Sequence, residues 1–158
     1  MNYPQFIDID GSSQEYDQYP TEIAWSLPDG TIKSVLIQPD DDWDPWDACD
    51  ADLDVQHFMD HGETPGDIIK ELNEDVSGQT IFVDGLDEDQ LLIDKLFMPC
   101  DPAEPDFEIA TLKALFEGLD TETLLDSLDQ ISAHHGLDSA RPEDRVRALL
   151  FLYAELKA

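Results

Sequence analysis

Basic residues are the scarcest class in this chain. Lys33, Lys70, Lys95, Lys113, Arg141, Arg145, Arg147 and Lys157 stand against 38 Asp plus Glu, giving a formal net charge of −30 over 158 residues. Lys and Arg supply the sequence-independent part of nucleic-acid affinity, so such a surface repels phosphate backbones at low salt. Cysteine is nearly absent as well. Cys49 and Cys100 are far apart in sequence, which excludes a disulfide framework and a four-cysteine zinc site. No apolar run approaches the length that spans a bilayer, and the first residues carry no basic segment, so the expectation is a cytoplasmic protein without a membrane partner. There is no Gly-rich phosphate loop, and Ser12-Ser13 lacks the surroundings of a nucleophile elbow. His57 and His61 are four apart without the acid of a zinc-protease helix. The run Asp50, Asp52, Asp54 has Val55 and His61 where a calcium loop needs Gly and Glu.

What is present reads as a globular α/β chain. Hydrophobic residues make up 41%, in segments of alternating type. Gln5 to Asp10, Thr21 to Leu27 and Thr31 to Gln38 read as three strands joined by short polar turns, hence an antiparallel meander. Pro39 to Asp54 reads as an acidic loop anchored by Trp43 and Trp46. Pro65 to Val76 is helical behind Thr64, Gln79 to Val83 is a buried strand, and Asp87 to Phe97 is an amphipathic helix. Phe107 to Ala110 is a last short strand running into a helical turn, and Thr121 to Ile131 and Pro142 to Leu156 are helices. The fold class expected is a mixed sheet of about five strands, a meander and then parallel strands, flanked by helices.

Asp8 and Asp10 share a face of the first strand, because side chains alternate along a strand. Asp84 ends the buried fourth strand, where ligand sites of open α/β sheets tend to lie. If those strands are neighbours, three carboxylates converge. Their mutual repulsion calls for a divalent cation with oxygen ligands, Mg²⁺ or Mn²⁺.

These segments resemble the DEDDh 3′–5′ exonucleases of the ribonuclease H-like superfamily, over most of the chain. FIDIDGSSQEYDQYPTEIAWSL is similar to their first motif and second strand, and IQPDDDWDPWDA to their loop with proline and tryptophan. GQTIFVDGLDEDQLLIDKLF resembles the second motif, and AHHGLDSARPEDRVRALL the third. The resemblance implies one exonuclease-like domain over residues 1–158 and a two-metal site held by Asp8, Asp10 and Asp84. It also implies His134 as general base and Ser139 at the place of the last ligand carboxylate. It further implies hydrolysis at single-stranded nucleic-acid 3′ ends. Three departures mark a degenerate member: Asp10 is one methylene shorter than the family's Glu, Ser139 offers a neutral hydroxyl, and DADLD stands where the family has a histidine-glycine-isoleucine segment. The alternative is a catalytically inactive protein of the same fold that binds a basic protein or imitates nucleic acid. Its charge otherwise reflects salt adaptation or plain solubility.

Overall fold

In the computed structural model, residues 2–84, 86–100 and 105–157 are described, with the side chains of residues 86 and 87 excepted. Five strands form one sheet: β1 (Gln5–Gly11), β2 (Pro20–Ser26), β3 (Ile32–Leu36), β4 (Thr80–Val83) and β5 (Glu108–Thr111). The order across the sheet is β3-β2-β1-β4-β5. The first three strands are antiparallel, whereas β1–β4 and β4–β5 are parallel. The meander and the parallel half therefore share β1 as their common central strand.

Among the described residues six α-helices accompany the sheet: α1 (Val55–His61), α2 (Pro65–Val76), α3 (Leu86–Phe97), α4 (Leu112–Leu115), α5 (Thr121–His135) and α6 (Pro142–Lys157). Local chemistry explains their ends. The Thr64 hydroxyl accepts from the Asp67 amide at the start of α2, with Pro65 in the first position, where its missing N–H costs nothing. Asp120 caps α5 in the same way, and Gly136 closes it with a left-handed φ of 66°. The sequence gives no clear pattern for α1, which begins where Asp54 accepts from the His57 amide.

Period-two alternation divides the core into two layers. Ile7, Ile9, Ile81 and Val83 face α2 and α3, meeting Ile68, Leu72, Leu92, Ile93 and Leu96. Phe6, Ala24 and Phe82 face the other way, against Leu124, Leu128 and Ile131 of α5 and Val146, Leu149 and Leu152 of α6. Each such side chain contributes about 1.5–3 kcal/mol on full burial, so α6 is held by its apolar stripe rather than by helix propensity. Trp43 anchors the acidic loop by stacking on Tyr19, with ring centroids 5.9 Å apart, and the Tyr19 hydroxyl donates to the Pro45 carbonyl at 2.7 Å. Trp46 does not anchor it: the residue is 58% exposed, in the turn that follows Asp44. Trp25 is wholly buried, and its indole N–H donates to Asp75. Among the described residues no helix is long and apolar enough to cross a membrane.

Candidate metal centre

The parallel pairing of β1 with β4 puts Phe6 opposite Phe82. Two residues beyond that pair stand Asp8, midway along β1, and Asp84, just past the carboxyl end of β4. Asp8 has no exposed surface, and neither of its carboxylate oxygens accepts a hydrogen bond. A buried acid in that condition is costly unless something of opposite charge meets it.

Two groups meet it, and only the second answers that cost. One is a third carboxylate, Asp89, from the first half of α3, which adds to the repulsion. Asp8, Asp84 and Asp89 bring one oxygen each to within 4.8 Å of one another. The other is Arg145 of α6. Its Nη1 lies 3.3 Å from Asp8 Oδ2 and 3.3 Å from Asp10 Oδ1, and its Nη2 lies 3.7 Å from Asp84 Oδ2. Asp10 thus comes to the same guanidinium rather than into the three-carboxylate group, and it is 32% exposed where Asp8 is fully covered. Arg141 makes a weaker, more exposed pair with Glu22, which faces Asp10 across the β1–β2 register.

The electrostatics follow from this geometry. Burial raises the Asp8 carboxyl well above its usual range; Arg145 pulls the other way, and Asp84, Asp89 and Asp10 add to the rise. Asp10 is pushed up to about 6, first by burial, with Arg145 opposing and Glu22, Glu88 and Asp84 adding. Burial works against the Arg145 charge, but Asp8, Asp84, Asp10 and Asp89 outweigh it and hold the guanidinium more firmly protonated than usual. One guanidinium cannot neutralise four carboxylates. The all-oxygen donor set suits a hard cation such as Mg²⁺ or Mn²⁺. Asp8, Asp84 and Asp89 lie close enough that they could hold a metal ion, while Arg145 Nη1 stands between Asp8 and Asp10.

Ser139 lies in the exposed turn between α5 and α6. It lines a cavity of about 360 Å³ together with Asp84, Asp129, Ser132 and Arg145. The structure therefore brings Ser139 to the edge of the centre. His134, on the exposed last turn of α5, lines a second cavity with Ser127, Gln130, Ile131 and Glu155. Its ring meets that of His135, which stacks on Phe151 at 4.0 Å.

Sequence reading had missed Asp89 and Arg145, although each left a signal. Asp89 stands three, four and seven residues before Leu92, Ile93 and Leu96, and Arg145 at the same spacings before Ala148, Leu149 and Leu152. A charge on the apolar stripe of an amphipathic helix is carried inward with it.

No protein-family model and no curated protein sequence matches the chain. Solved structures do. Exonuclease I from Methylocaldum szegediense superposes with a TM-score of 0.57 at 14% identity, over 96% of this chain and 40% of its own. An SSB/exonuclease I structure in complex with inhibitor CFAM gives 0.62 at 15% identity, over 96% and 40%. The zinc-bound exonuclease I–ssDNA complex of E. coli gives 0.61 at 16% identity, over 96% and 39%. The mixed sheet with helices on both faces is the ribonuclease H-like fold of these nucleases. The chain spans about two-fifths of the length of the proteins it matches.

Proposed function

We propose that this chain, built on the fold of exonuclease I, is a metal-dependent 3′–5′ exonuclease acting on single-stranded nucleic-acid ends. The observation that carries the reading is Asp8: wholly buried, accepting no hydrogen bond, and aimed with Asp84 and Asp89 at one point. Kept ionised, such a group needs positive charge beyond what one shared guanidinium supplies. Exonuclease I has been solved with a dA13 oligonucleotide and, in another complex, with ssDNA and zinc, which supports both substrate class and metal.

A divalent cation bound there would lower the pKa of water and stabilise the charge on the leaving 3′ oxygen. The protein's own part is positional. The β1–β4 pairing holds two carboxylates side by side, and α3 adds the third. Arg145 holds Asp10 to the rim, and the cavity lined by Ser139 and Arg145 opens beside the acids. The −30 charge opposes the approach of a polyanion, so activity rises with salt until screening shortens the Debye length to about 8–10 Å or less.

The test is mononucleotide release from a 3′-labelled single strand with Mn²⁺, at low and high NaCl, beside Asp8→Asn. Release that needs the metal and vanishes in Asp8→Asn supports the reading; its absence at every salt concentration overturns it. A second reading, a non-hydrolytic acidic module for a basic partner, draws on Arg145 already standing among the acids. It gains if nucleotide release fails while a basic protein is bound in a salt-sensitive way.

A further inference from the structure

The position of Arg145 bears on how many cations the centre can take. Nη1 is 3.3 Å from an oxygen of Asp8 and 3.3 Å from an oxygen of Asp10. An ion bridging those two acids would need to sit within about 2.1–2.6 Å of each, in the space that this nitrogen fills. The Asp8–Asp84–Asp89 side is different. Oxygens around a six-coordinate ion at about 2.1 Å lie about 3 Å apart when adjacent and about 4.2 Å when opposite. Three oxygens within 4.8 Å are therefore a small contraction away from ligating. Both Asp8 oxygens and Asp84 Oδ1 are buried and accept no hydrogen bond, so they have donor capacity left for an ion.

We infer that the centre takes one divalent cation, on Asp8, Asp84 and Asp89, and that the Arg145 guanidinium is its resident second cation, on the Asp10 side. The inference rests on the metal-dependent reading above and departs from the two-ion arrangement that the resemblance implies. It explains two features of the chain together. With a guanidinium in the second place, a carboxylate at Ser139 is not required for charge balance. Asp10 in turn needs only to reach the guanidinium and not a metal, for which its shorter side chain suffices. Arg145 also lines the cavity shared with Asp129, Ser132 and Ser139, so its outer edge borders the space from which a phosphate would enter. A planar guanidinium with several N–H donors can serve acids on one side and a phosphate oxygen on the other.

The test counts bound Mn²⁺ by calorimetry and reads its state by electron paramagnetic resonance. Measurements are made at about 0.5 M NaCl, where the Debye length is about 4 Å and adventitious binding to the acidic surface is weakened. Only sites lost in Asp8→Asn are counted, with circular dichroism confirming that this variant folds. One Mn²⁺ per chain is expected, with the resolved hyperfine pattern of an isolated ion. Asp89→Asn should weaken it by about tenfold or more, while Asp10→Asn leaves the count at one. Arg145→Gln should admit a second, weaker ion, seen as broadening by spin coupling. Two coupled ions in the unaltered protein would overturn the inference, as would loss of the ion in Asp10→Asn. Failure of the enzyme reading looks different: one ion binds as expected, yet no nucleotide is released.

Discussion

The Arg145 guanidinium stands 3.3 Å from the carboxylate of Asp8, a side chain with no surface of its own. This contact joins the central strand of the sheet to the last helix. It sets how the chain responds to loss of the cation, to pH and to substitution nearby.

Removing the guanidinium leaves buried carboxylates facing one another. Breaking a buried pair from one side typically costs about 3–5 kcal/mol. Arg145→Gln should therefore unfold more readily in urea, by about 3 kcal/mol at pH 8 in EDTA. The deficit should shrink when Mn²⁺ is added, because the ion supplies charge that the side chain no longer does. A loss below about 0.5 kcal/mol would show that the pair is not energetically coupled to the fold.

Asp10 gives the pH dependence its sign. Its carboxyl is raised from 3.8 to about 6 in the folded state, so the native protein binds this proton more tightly than the unfolded chain. The stabilising contribution is complete below about pH 4 and is lost as pH rises through about 6. In metal-free buffer the thermal midpoint should rise from pH 7.5 to pH 5, partly because the net charge falls. In Asp10→Asn that rise should be smaller, since the substituted amide does not titrate. Equal rises in both proteins would remove Asp10 as a contributor.

His134 opens on a cavity that it shares with Glu155 and not with Asp84. His134→Ala should leave the rate of nucleotide release within about twofold of the unaltered protein. A loss of about 10²–10⁴ would instead make it the base that the third motif implies.

How much of this was readable beforehand differs by element. The meander was legible because strand alternation and the short polar turns agree, and β4 because TIFV is a short apolar run that stops at an acid. The neighbouring of β1 and β4 was a conditional step in the sequence, since strand order is a long-range property; the register of Phe6 against Phe82 supplies it. Helix α1 was hidden because only Val55 of its seven residues is buried, leaving no apolar stripe to detect. Asp89 and Arg145 were passed over for a different reason. Charged residues inside amphipathic helices usually belong to the solvent face, and only the burial of their neighbours at three, four and seven residues shows otherwise.

The centre also constrains the order in which the chain can be completed. Asp8 belongs to the first strand and Arg145 to the last helix, so the acids of β1 and β4 emerge from synthesis well before their counter-cation. Until residue 145 arrives, pairing β1 with β4 brings Asp8 and Asp84 together without that charge. Contacts so distant in sequence are slow to close, and here the closing contact is also the neutralising one. The junction of β1 and β4 thus gains its counter-charge only when α6 docks across β1, β2 and β3.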